Sequence, residues 1–225
     1  MTTTPLAADW NRLGGTFVDA IGDTLVMVSL TMIFGGIGGL LIGLLLYTSR
    51  AGGILQSKPI YWVLNVLVNF VRPIPFIILI AMLAPVTLQF IGTPIGRSAA
   101  LFVMCIAAAF PVARIVEQNL VAIDPGVIEA ARAMGASPWR IIRTVIIPEA
   151  LGPLVLGYTF IFIAVVDMSA MAGYIGGGGL GDFAIVYGYR AYDYEVTYAA
   201  VIVIVIIVQL AQLFGNWLSR RIMRR

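Results

Sequence analysis

The sequence has 225 residues, 60% hydrophobic and 11% charged, with a net charge of +3. Soluble domains carry about a quarter charged residues and about half apolar ones, so composition excludes a soluble enzyme, a disordered chain and a disulfide-stapled secreted module. With no histidine, one cysteine (Cys105) and one lysine (Lys58, between Ser57 and Pro59), the chain has no catalytic triad, no cysteine–histidine metal cluster and no Gly-Lys-Ser/Thr phosphate loop, and its dispersed charge makes no nucleic-acid face.

Five stretches are apolar enough to cross a hydrocarbon core, which takes about 20 residues of helix. The first is Leu25 to Tyr47, inside an uncharged run from 24 to 49. It is too long for a signal-peptide core and has no basic region beside it, so no cleavage is expected. The second, Ile60 to about Leu88, is interrupted by Arg72-Pro73-Ile74-Pro75. Ser98 to about Val112 opens a third, whose far end carries Arg114 and Glu117. Glu149 to Met171 is the fourth, with Asp167 inside it, and Val196 to Trp217 is the fifth.

An odd number of spans puts the termini on opposite sides, and the positive-inside rule chooses between them. With the C-terminus inside, the inside segments hold ten cations: Arg50, Lys58, Arg114, Arg132, Arg140, Arg143, Arg220, Arg221, Arg224 and Arg225. The outside segments hold three, Arg12, Arg97 and Arg190. The expected orientation is therefore N-terminus outside and C-terminus inside.

The long inside loop, from about Val116 to Pro148, has helix signals. Asp124-Pro125 is an N-cap followed by proline at the first helical position, and Ser137-Pro138 repeats the pattern. Val127, Ile128, Ala130, Ala131 and Met134 recur at helical spacing, and Gly135 suits a helix stop. Trp139, Ile142, Val145 and Ile146 continue at that spacing. The loop reads as two short helices joined by a glycine turn, lying on the inner membrane face; a surface-resting amphipathic pair is the plainer reading.

The residue order within it, Glu129-Ala130-Ala131, three residues, Gly135, nine residues, then Val145-x-Ile147-Pro148, resembles the EAA loop of ABC importer permeases. Val145 and Ile147 stand where that family often has Ile and Leu. Arg72 to Leu79, Ala130 to Pro138 and the run Gly176-Gly177-Gly178-Gly179-Leu180-Gly181 are similar to the methionine-type permeases within it. The resemblance implies an all-α, polytopic membrane fold with about five transmembrane helices and a cytoplasmic coupling-helix loop. Residues 1–23 would form an external segment, 24–218 the permease domain with its coupling loop at about 118–147, and 219–225 a basic tail inside. It further implies a permease, not an enzyme, in a bacterial cell membrane, pairing with a second copy to enclose the pathway. Two copies of a separate ATPase would hold ATP and Mg, none being bound by this chain, and an extracytoplasmic binding protein would deliver an amino acid, most readily methionine, L- and possibly D-. Membrane lipid surrounds the complex and nucleic acid has no part in it.

The same resemblance assigns ATPase docking to Asp124, Glu129, Ala130, Ala131, Met134, Gly135, Ser137, Pro138 and Pro148. Small Ala130 and Ala131 would allow close approach, and Glu129 would meet a basic group of the ATPase or stay a solvated surface acid. Residues of the spans themselves add pathway candidates. Arg72 faces the pathway from a broken helix or snorkels to the interface. Asp167, with Met168 and Ser169, receives a substrate ammonium, pairs with protein, or lies in an aqueous vestibule. Arg114 and Glu117 are three apart and fit an ion pair. Gly35, Gly39 and Gly43 form a small-residue stripe suited to packing within the protomer. Gly176 to Gly179 suits a flexible turn or re-entrant segment at the pathway mouth. Tyr187, Tyr189, Tyr192, Tyr194 and Tyr198 read as an aromatic belt or a binding-protein surface. The alternatives are an importer for another amino acid or small polar solute, and an ion-coupled secondary transporter using Asp167.

Overall fold

The computed structural model describes residues 9–223, and among these every regular element is helical. The helices are α1 Trp10–Ser49, α2 Lys58–Val71, α3 Phe76–Ile91, α4 Arg97–Val121, α5 Pro125–Ala133, α6 Pro138–Ile141, α7 Ile147–Ala172, α8 Gly179–Phe183 and α9 Tyr194–Met223. Four helical stretches are long and apolar enough to cross a membrane, and the pair α2–α3, counted as one broken span, makes the fifth. The start of the expected external segment, and Arg224 and Arg225 of the basic tail, lie outside the described residues.

Two boundaries differ from the sequence-based expectation. α1 begins at Trp10, well before Leu25, and is 40 residues long, about 60 Å at 1.5 Å per residue. No proline interrupts this stretch, and Gly14 and Gly15 weaken a helix without stopping it. The second expected short helix begins as expected at Ser137-Pro138 but does not end before the fourth span. α6 runs through a π-helical turn, Ile142–Ile146, directly into α7. Proline inside an α-helix clashes with the carbonyl four residues back. The wide turn just before Pro148 relieves that crowding, so a residue that reads as a breaker is absorbed.

Contacts divide the chain into two compact units. One comprises Met1–Phe34, Ile74–Ala107 and Phe162–Ala211. Its core gathers Ala20, Leu180, Phe183, Val196 and Ala200, flanked by Leu13, Phe17, Ile21 and Val203. Aromatic rings chain through it: Trp10 to Phe17 at 5.6 Å, Phe17 to Phe183 at 5.1 Å and Phe183 to Tyr187 at 5.2 Å. The Trp10 indole N–H donates to Glu195 Oε1 at 2.8 Å. The early residues of α1 thus pack on α8 and α9 through Leu13, Phe17 and Ala20.

The other unit comprises Gly35–Pro73, Ala108–Ile161 and Gln212–Arg225. Its close approaches are made at glycines, as expected where backbones must meet without large side chains. A methyl group on Gly39 would stand 2.5 Å from Val112 Cβ and 2.6 Å from the Ala109 carbonyl oxygen. One on Gly43 would stand 2.5 Å from the Ala113 carbonyl oxygen. Gly39 and Gly43 therefore seat α1 on α4 within one protomer. The Tyr158 hydroxyl donates to the Gly36 carbonyl at 2.7 Å, and the Ser219 hydroxyl to the Gly152 carbonyl at 2.9 Å. The Arg114 guanidinium donates to Glu117 Oε2 at 2.6 Å, which explains how Glu117 can be buried.

Candidate functional site

α5 is built by its caps. Asp124 Oδ1 accepts the Gly126 N–H at 2.8 Å, and Pro125 fills the first helical position, where its missing N–H costs nothing. At the far end, the Gly135 N–H reaches the Arg132 carbonyl at 2.9 Å and the Ala136 N–H reaches the Ala131 carbonyl at 3.1 Å. This is a Schellman stop, with Gly135 at φ 77°. The left-handed conformation suits glycine, which has no Cβ to crowd the backbone. Ser137 then caps α6, accepting the Arg140 N–H at 3.4 Å, with Pro138 next.

α5 does not turn all its apolar residues one way. Ile128 and Ala131 are buried, and α5 packs against the turn at Ile142–Ile146 of the same unit. Val127, Ala130 and Met134, at i, i+3 and i+7, face outward. Met134 is 80% exposed and Trp139 69%. Of the two alanines, then, Ala130 is on the open face and Ala131 is buried within the chain. Pro148 is exposed at the second position of α7.

Glu129 sits at a cleft of about 100 Å³ lined also by Tyr47, Arg50, Ile128 and Arg132. Arg50 lies 4.5 Å over the Tyr47 ring. The acid is thus flanked by cations of its own chain, although no ion pair within 4 Å joins it to them among the described residues. Tyr47 and Arg50 were not singled out from sequence. Their spacing of three, which places an aromatic ring beneath a cation on one helix face, was the available signal.

The pathway candidates lie in separate places. Arg72 follows α2 and is exposed; its backbone N–H closes the helix on the Val68 carbonyl at 3.1 Å. Pro73 and Pro75 cannot extend that helix, and the chain breaks there. The polar residues of α2, Lys58, Tyr61, Asn65, Asn69 and Arg72, recur along one face, with Asn69 donating to Asn65 at 3.1 Å. On α7, Asp167 is exposed and makes no ion pair among the described residues. Met168 is half-buried. Ser169 is buried, and its hydroxyl donates to the Val166 carbonyl at 2.7 Å, so it is satisfied within its own helix.

The glycine run is held in place. Gly176, Gly178 and Gly179 have positive φ. The Leu180 N–H donates to the buried Thr24 hydroxyl at 2.8 Å, the Gly177 N–H to the Ala172 carbonyl at 3.0 Å, and the Gly96 N–H to the Ile175 carbonyl at 2.8 Å. Asp23, ion-paired to Arg97, lies beside Gly178. These bonds tie the run expected to be a flexible turn or re-entrant segment to Thr24, Ala172 and Gly96. Just beyond, burial pushes the Asp182 carboxyl up from its usual 3.8, with Arg190 pulling it part of the way back. Tyr189, Tyr192, Tyr194 and Tyr198 are exposed, as either reading of the tyrosine cluster requires.

Residues 35–225 match the family model described as binding-protein-dependent transport system inner membrane component. The probable D-methionine transport system permease protein MetI of Vibrio cholerae is 38% identical over 97% of both chains. The methionine import system permease protein MetP of Bacillus subtilis is 41% identical over 80% of this chain and 82% of its own. A chain of the MetNI methionine ABC transporter, solved in inward-facing conformations, superposes with a TM-score of 0.91 at 40% identity, covering 94% of this chain and 98% of that one. The chain is a multi-pass membrane protein belonging to the family of binding-protein-dependent transport system inner membrane components.

Proposed function

We propose that this chain is the permease subunit of an ATP-driven importer for methionine, L- and possibly D-. The observation that carries the reading is likeness over nearly the whole chain to proteins named for methionine transport, including the transporter chain at TM-score 0.91. A second copy supplies the other wall of the pathway, an external binding protein delivers substrate, and two copies of a separate ATPase bind ATP and Mg. The chain's own contribution to coupling is the open face of α5, Val127, Ala130 and Met134, with Trp139 beside it. Together with Glu129, Gly135, Ser137 and Pro138, this face enters a groove of the ATPase. Burying a stripe of that kind against a partner removes apolar surface from water at about 25 cal/mol per Å².

The orientation that suits this role has the N-terminus outside and α5 on the side of ATP. Asp167 follows from the same logic. A charged side chain facing lipid at mid-span costs about 2.5 to 3.5 kcal/mol, so its exposed position on one protomer fits a water-filled pathway. The test is uptake of labelled methionine into liposomes holding the permease, its ATPase and its binding protein, with ATP confined to one side. Uptake that requires ATP on the α5 side supports every part of the reading. Hydrolysis stimulated by the binding protein without methionine uptake keeps the importer and discards the cargo. Uptake indifferent to ATP removes the reading altogether.

A further inference from the structure

At the junction of the α7 start and the α9 end, a groove of about 770 Å³ opens between Glu149, Leu151, Trp217, Leu218, Arg221 and Met223. Its base is fixed. The Ser219 hydroxyl holds the Gly152 carbonyl at 2.9 Å, and the Met223 side chain lies directly over Gly152, where a methyl group would collide with it. Its walls are mostly apolar, but it carries one acid and one base, both exposed. The Arg221 guanidinium lies 5.4 Å over the Trp217 ring, and among the described residues neither Arg221 nor Glu149 is engaged in an ion pair. Opposite charges on one groove, unbridged to each other, leave both available to a ligand that carries both charges.

The groove also lies at a particular depth. The apolar run of the fourth span begins at Glu149 and that of the fifth ends at Trp217. Both mark the level where hydrocarbon gives way to headgroups, where tryptophan and arginine anchor spans. We infer that this groove holds a zwitterionic phospholipid with a primary ammonium: its phosphate on Arg221, its ammonium on Glu149, and an acyl chain along Leu151 and Leu218. Charge-assisted hydrogen bonds at both ends give headgroup selectivity. A choline headgroup has no N–H to offer Glu149, and a glycerol headgroup has no cation. Basic residues alone would instead favour the anionic lipid.

The test titrates the full-length protein, purified with the subunits it carries from its membrane, with phosphatidylethanolamine, phosphatidylcholine and phosphatidylglycerol of identical acyl chains. Bound lipid is counted by native mass spectrometry. The expected result is five- to tenfold tighter retention of phosphatidylethanolamine than of either other lipid. Glu149→Gln should lower it to the phosphatidylcholine level without weakening phosphatidylglycerol, and Arg221→Gln should weaken all three. The headgroup series on the unaltered protein needs no variant to fold, and thermal midpoints check the two that are made. Equal retention of the three lipids, a preference for phosphatidylglycerol alone, or an ethanolamine preference that survives both substitutions would each overturn the assignment.

Discussion

Gly135 offers the sharpest test of the α5 face, because local strain and partner contact predict opposite orders there. The residue sits at φ 77° and a Cβ at that position would meet nothing within 4 Å. Any loss in a variant of the isolated chain is therefore conformational. An L-residue in the left-handed region costs about 1–2 kcal/mol, and asparagine is among the few that visit it routinely. That strain is a factor of about 5 to 30 in the population holding the Schellman stop. If the turn alone matters, activity follows Gly, then Asn, then Ala. If Gly135 lies against the ATPase, the larger asparagine suffers more than alanine and the order reverses. The assay is ATP-dependent methionine uptake by Gly135→Ala and Gly135→Asn in proteoliposomes, with co-purified ATPase measured alongside. A docked Gly135 predicts the reversed order together with reduced ATPase retention. Two variants that match the parent in both uptake and retention would remove α5 from the coupling argument.

Three further outcomes follow from the geometry. Thr24→Val leaves the buried Leu180 N–H without its 2.8 Å acceptor, at a cost of about 1–3 kcal/mol; a thermal midpoint unchanged from the parent would show that the glycine run is held by other means. Asp167→Asn should leave the apparent KM for methionine within about twofold, since a pathway-lining carboxylate need not touch the substrate; a tenfold rise would make Asp167 the ammonium receptor instead. Asp182 has a folded-state pKa above 3.8, so its contribution to stability is fully present below that value and is lost as pH rises through the raised one. The stability gained by Asp182→Asn should accordingly be greatest near neutral pH and vanish in acid, and a difference that does not change with pH would refute the burial argument.

What the sequence disclosed was mostly local chemistry. Asp124-Pro125 and Ser137-Pro138 cap the helices they were expected to cap, because a cap is satisfied within one turn of chain. Gly135 stops α5 for the same reason, and Arg114 and Glu117 pair because three residues separate them on one helix. The α1 start was hidden by its polar residues. Asn11, Arg12, Asp19 and Asp23 masked Leu13, Phe17 and Ala20, whose helical spacing was the only clue to their packing on α8 and α9. The continuity of α6 with α7 was missed because a proline states a local conflict and not its solution.

The remaining residues could not be read because their meaning depends on the direction in which a helix face points. Ala130 and Ala131 are identical in sequence, yet one is open and the other buried. Ser169 and Asp167 are two residues apart, and the first turns its hydroxyl back on its own helix while the second stays exposed. In a soluble protein, an exposed acid needs no explanation. On a membrane span it does, since water, lipid and a second subunit are the only surroundings available, and lipid is the most costly for a charge. Exposure on one protomer thus limits what may lie opposite Asp167. The same reasoning applied to Val127, Ala130 and Met134 runs the other way: outside the bilayer, an uncovered apolar face is the costly arrangement, and a partner relieves it. The two faces, one polar where apolar surroundings are expected and one apolar where water is expected, are where this chain departs from a self-sufficient bundle, and the proposed importer would meet each with another molecule.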